Sequence, residues 1–150
     1  MPLLKIFDAA TNQSLIERIN AITSDTQRLW GKMSAGQALK HMTIPYYEII
    51  DDKHQTPRMQ FVGKLFFKSI MTSEKPYKKN SPTAKQFIIT DEPDIAEAKK
   101  ELIEKMQEVH ALGAGYFEGK SHAFLGKLTA TEWSNMLYKH LDHHLRQFGV

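Results

Sequence analysis

The chain has 150 residues, 41% of them hydrophobic and 25% charged, with a formal net charge of +3 and a pI near 9.0. That size and balance fit one soluble globular domain, residues 1–150, with room for a core of several helices. It contains no cysteine, which excludes disulfide scaffolds, thiolate metal sites and cysteine nucleophiles, so any thiol chemistry must use a thiol carried in by another molecule.

The opening stretch, Met1 to Asp8, lacks a charged leader followed by a long apolar run and a small-residue cleavage site. No apolar run approaches the ~20 residues that cross a bilayer. The expectation is a cytoplasmic, unprocessed protein with no membrane partner. No repeat, low-complexity tract or linker divides the chain.

The first predicted helix spans Thr11 to Ile22, with Leu15, Ile19 and Ile22 at helical spacing and Asn12 to Ser14 as polar caps. The second starts at Ser34, whose hydroxyl and Gln37 three residues on make a capping box. It continues through His41 towards Ile50, with Pro45 inside it predicting a kink. From Asp51 to Thr90 runs a long insertion. Its apolar piece, Phe61 to Met71, predicts a short amphipathic helix, followed by a lysine-rich, proline-punctuated loop from Ser73 to Pro82 and a short extended segment over 86–90. A connection this long either packs across one end of a helical domain or covers a site as a lid. The third long helix begins after Asp91 or Asp94 and places Ile95, Ala98, Leu102, Met106 and Val109 on one side. Its last turn reaches His110, and Gly113 and Gly115 end it. The fourth opens at Thr129, with Glu132 completing another capping box, and ends at Gly149. The expected fold class is all-α, a four-helix bundle with a long insertion that carries a short extra helix between the second and third helices.

The last helix carries the chemistry. Trp133, Leu137, His140, His144 and Phe148 share one stripe, apolar apart from its two histidines, which therefore faces the core. Asp142 falls on the opposite, solvated side and His143 at the margin. Two imidazoles stacked one turn apart on a buried face need polar partners, and a metal ion satisfies both at once. Core histidines bonded to side chains or water are the alternative. His41, in a polar strip with Gln37 and Glu48, is the candidate third ligand, because sites in helical bundles are built from facing helices.

Trp30 to His41, and Tyr138 to Gly149 with its His140-Leu141-Asp142-His143-His144-Leu145-Arg146-Gln147 core, resemble the DinB/YfiT-like superfamily of metal-binding four-helix bundles. Lys75-Pro76-Tyr77, Asn80 to Thr83 and His122 to Thr129 extend the likeness, to an uncharacterised bacterial subgroup, over nearly the whole chain. The resemblance implies His41, His140 and His144 as metal ligands, with His143 a neighbour. The wider family commonly reads His-His-Arg-Gly-Gln; here Leu145 separates His144 from Arg146 and no glycine precedes Gln147, so the spacing of ligands is kept while family roles for the Arg and Gln do not transfer.

Three imidazoles suit zinc or nickel, with iron(II) or copper also accommodated, better than magnesium or calcium, and they leave coordination positions open. The expected function is metal-dependent transfer of a low-molecular-weight thiol to an electrophilic small molecule. Metal-dependent hydrolysis and a non-catalytic metal-binding role are the alternatives. Glu48 is the candidate base, and Gln37, His143 and His122 are candidate neighbours of the metal or its pocket. Trp133 is expected to pack rather than stack on substrate, and His54 and His110 to lie at the surface. Lys75, Lys78, Lys79 and Lys85, with Tyr77 and Phe87 between them, fit a solvated loop better than a nucleic-acid surface. Phe61 to Met71 offers a homodimer surface.

Overall fold

The computed structural model describes residues 5–150, and the opening residues Met1 to Leu4 lie outside it. The protein is mostly helical: α1 (Ala9–Ala21), α2 (Ala35–Ile50), α3 (Pro57–Phe66), α4 (Lys68–Thr72), α5 (Ile95–Phe117) and α6 (Ala130–Gln147). A small antiparallel hairpin, β1 (Ser121–His122) and β2 (Gly126–Lys127), precedes α6. None of the described helices is long and apolar enough to cross a membrane.

Both predicted capping boxes form. Ser34 and Gln37 start α2, and Thr129 and Glu132 start α6, each pair exchanging side-chain and backbone hydrogen bonds. Asp94 caps α5 by accepting the Glu97 N–H. Helix α1 departs from expectation: it starts at Ala9 after Asp8, so Asn12 to Ser14 lie inside it rather than cap it. Helix α2 runs through Pro45 as one helix, although the missing proline N–H leaves the His41 carbonyl without its usual partner. Helix α5 breaks at Gly113, whose φ of 75° and ψ of 165° are not helical, then resumes to Phe117, past the predicted end.

Leu15 and Ile19 of α1, Ala38, Leu39 and Met42 of α2, Leu102 and Met106 of α5, and Leu137, Leu141 and Leu145 of α6 bury in one apolar core. Trp133 closes its lower end, fully buried against Phe117, with its Nε1–H donated to the Lys120 carbonyl. Asp142 is not the solvated residue the helical phase predicts. It is half-buried, pairs with Arg146 one turn on, and accepts Arg18 Nη1 of α1 at 2.9 Å, because α1 lies across that face of α6.

The insertion forms two short helices where one was expected, and a single 3-10 turn over Lys85–Phe87 where an extended segment was expected. It is fastened along α6 and the hairpin by backbone and long polar side chains. Gly63 is its one buried residue in α3, and a Cβ there would lie 2.1 Å from the Phe124 carbonyl oxygen. Asn135 donates to the Thr72 carbonyl, and the Lys139 ammonium donates to the carbonyls of Ile70 and Ser73. The close approach at Gly63 is against backbone, which cannot step aside. Gly63→Ala is therefore expected to destabilise the protein by about 1–3 kcal/mol, seen as a lower denaturation midpoint at unchanged slope, together with faster proteolysis within 53–90.

Candidate metal centre

His41 projects from the second turn of α2, and His140 and His144 from successive turns of α6 where the two helices face each other. Their rings form a nearly equilateral set, with centroid separations of 4.9 Å for His41–His140, 4.8 Å for His41–His144 and 5.0 Å for His140–His144. One ring nitrogen from each lies within 4.8 Å of the others. Three imidazoles that bind one ion through Nε2 at about 2.1 Å have centroids roughly 5 Å apart. The arrangement fits a metal ion.

Hydrogen bonds on the far side of two rings set their tautomers. The Nδ1–H of His41 donates to the Phe87 carbonyl at 3.1 Å, and the Nδ1–H of His144 donates to Gln147 Oε1 at 2.9 Å. The Gln147 amide is itself oriented by donating Nε2–H to the Trp30 carbonyl at 2.9 Å. Both histidines therefore present the Nε2 lone pair to the centre, the usual device for steering a metal-binding imidazole. His140 Nε2 lies 3.0 Å from His41 Nε2, so without an ion it must carry the proton between them. As a ligand it would hold that proton on Nδ1 instead.

Burial keeps these rings neutral. It lowers His41, drives His140 well below the usual histidine range and takes His144 to about 3, with the neighbouring imidazoles adding to the effect for the last two. Neutral imidazole is the ligand form, so protons compete weakly for these sites near neutral pH.

The remaining predicted residues disperse. His143 adjoins the centre as expected, its ring 5.1 Å from that of His144, and it stands between the rings of Tyr77 at 5.9 Å and Trp30 at 6.0 Å. Gln37 does not reach the ligands: its side chain closes the capping box and donates to the Asp91 carbonyl. Glu48 stands seven residues from His41, about 10 Å along the helix, and lines a separate small cavity with His122, Lys120 and Trp133. It is not placed to act as a base at the metal. His122 orders its own hairpin, with Nδ1 accepting the N–H groups of Phe124 at 2.9 Å and Leu125 at 3.1 Å. His54 is exposed, whereas His110 is half-buried, contrary to expectation, and lines a cavity beside Tyr46.

Three parts of the centre were not anticipated. Gln147 belongs to the motif that carries the family resemblance, where no role was transferred to it, and its place three residues after His144 puts it on the same face. The Phe87 carbonyl and the Tyr77 ring reach the site through the fold of a long loop; Lys75-Pro76-Tyr77 belongs to the family resemblance, but helical periodicity gives neither contact.

The chain matches a family model described as Protein of unknown function (DUF1569) over residues 6–149. It belongs to that family. Neither the curated proteins nor the solved structures contain a match.

Two outcomes are expected for this chain. Gln147→Leu removes the acceptor that orients His144 and should weaken zinc binding about 10–100-fold, read by competition with a chromogenic chelator, while the fold persists by circular dichroism. His122, held down to about 4 by burial, is charged in the unfolded chain before the folded one as pH falls. Its contribution to stability is thus complete above the ordinary value near 6.5 and is lost as pH drops towards 4. His122→Asn keeps an acceptor for the two N–H groups without a titrating ring, so its melting temperature should fall less than that of the parent between pH 7 and pH 5.

Proposed function

We propose that this protein is a divalent-metal-dependent enzyme of the DinB/YfiT-like kind, a four-helix bundle that transfers a small thiol to an electrophilic molecule at an open three-histidine site. The observation that carries the reading is the convergence of three neutral imidazoles, two buried and one half-buried, whose Nε2 atoms face one point, two of them aimed by Nδ1–H bonds to Phe87 and Gln147. The donor set favours zinc or nickel, with iron(II) next, over oxygen-seeking ions. Three ligands leave room for a substrate atom, which a closed structural site would not.

A bound ion would supply a Lewis acid that favours the thiolate form of an incoming thiol at neutral pH. The chain's own part is to hold the geometry and to limit water. His41 and His144 are fixed in rotation by their outer hydrogen bonds, and Trp30, Tyr77 and His143 wall one side with aromatic surface. The absence of cysteine means the nucleophilic sulfur comes with the substrate.

The test begins with metal content, measured on untagged protein prepared without chelators, beside His140→Ala/His144→Ala. About one transition metal per chain, lost in the variant, is the expected result. Loaded protein should then consume small thiols in the presence of a chloroarene or epoxide. Cleavage of esters or amides without thiol consumption would replace the transferase reading by hydrolase. Metal bound without either activity would leave a non-catalytic metal-binding protein, and no metal after zinc or nickel is added would remove the proposal altogether.

A further inference from the structure

The insertion turns its large apolar side chains outward. Phe61, Leu65, Phe66 and Ile70 are 65%, 62%, 63% and 62% exposed, while α3 meets the rest of the protein through Gly63. This is the reverse of an amphipathic helix docked on its own core, which buries such residues. The exposed face is also surrounded by one sign of charge. Between Lys53 and Thr90 the chain has eight basic residues and one acidic residue, Glu74, whereas the remainder carries twelve basic and sixteen acidic. Arg58 and Lys64, both exposed, lie on the same outward side as Phe61 and Leu65.

We infer that α3 and α4 form a docking surface for an anionic lipid bilayer. The helices would lie in the plane of the interface with Phe61, Leu65, Phe66 and Ile70 among the acyl chains and the cations at the headgroups. Apolar side chains on one side of a short basic segment are the combination that binds such interfaces. Charge decides against the simplest competitor: two copies paired through this face would bring two strongly basic insertions together, with no acidic residue between Lys53 and Ser73 to offset them. The face is moreover carried by Gly63 and by Lys139, whose ammonium holds the Ile70 and Ser73 carbonyls, so it is anchored to the body rather than hung from a linker. The inference concerns peripheral attachment and replaces the expectation that the chain has no membrane partner.

The test sediments the full chain with vesicles of phosphatidylcholine alone or mixed with phosphatidylglycerol, at low and high salt. Binding is expected to the mixed vesicles, weakened by salt. Phe61→Ser/Leu65→Ser and, separately, Arg58→Glu/Lys64→Glu should each lower it about tenfold or more. All four side chains face solvent, and unchanged melting curves would verify that both variants fold. Three results would each overturn the inference. These are equal binding to both vesicle types, binding that neither double variant reduces, and a dimer in solution that Phe61→Ser/Leu65→Ser dissociates while vesicles are left unbound.

Discussion

The candidate site depends on holding three imidazoles, two buried and one half-buried, where α2 and α6 face each other without leaving their polar atoms unmet. A histidine inside an apolar core must stay neutral, and each neutral ring still offers one N–H and one lone pair. The protein meets the N–H groups of His41 and His144 with outward acceptors, the Phe87 carbonyl and Gln147 Oε1. That choice forces the lone pairs inward, towards the same point as His140. Three inward nitrogens cannot satisfy one another with the hydrogens available, beyond the single His140–His41 contact. A cation would satisfy that arrangement, because each of the three rings offers one ligand nitrogen to the same point.

The same logic explains why the insertion packs where it does. Loop 73–90 supplies the carbonyl that orients His41, and its Tyr77 ring lies against His143. Its near end is secured by Lys139, the residue immediately before His140. Burial lowers that ammonium to about 8, and it has carbonyls rather than a carboxylate for company. Helix α6 therefore does two jobs with neighbouring residues: Lys139 grips the insertion, and His140 faces the centre. The insertion is thus joined to the histidine cluster by the Lys139–His140 peptide link and by one hydrogen bond to His41.

How much of this could be read from sequence follows from the range of each signal. Capping boxes at Ser34 and Thr129 and the stripe from Trp133 to Phe148 are local patterns, and they located α2, α6 and two of the clustered histidines correctly. His41 joined them because helical phase and family resemblance agreed. Phase alone misplaced Gln37 and Glu48, which share His41's side of α2 but lie about a turn and two turns away along an axis that crosses α6 only locally. Asp142 was misread for a related reason: a polar face is solvated only until another helix covers it, and α1 does so through Arg18. The insertion was legible in composition but not in orientation. Its apolar spacing fitted packing across the bundle end or a surface for a second copy, and it gave no sign that Gly63, without a side chain, would be the packing residue of α3.

That inversion at Gly63 bears on how the insertion meets the histidine cluster. If α3 had packed through Phe61 and Leu65, the insertion would have been held by a hydrophobic interface and would be simply an added part of the core. It is held instead by a glycine against backbone, by Asn135 and by a buried lysine, with Met71 and Phe67 as its apolar contacts, and Phe61, Leu65, Phe66 and Ile70 are left exposed. The loop that follows runs from that fixed base across His143 to His41. The insertion thus carries an exposed apolar, basic surface on its helices and, in the loop that follows, the carbonyl and the aromatic ring that meet His41 and His143.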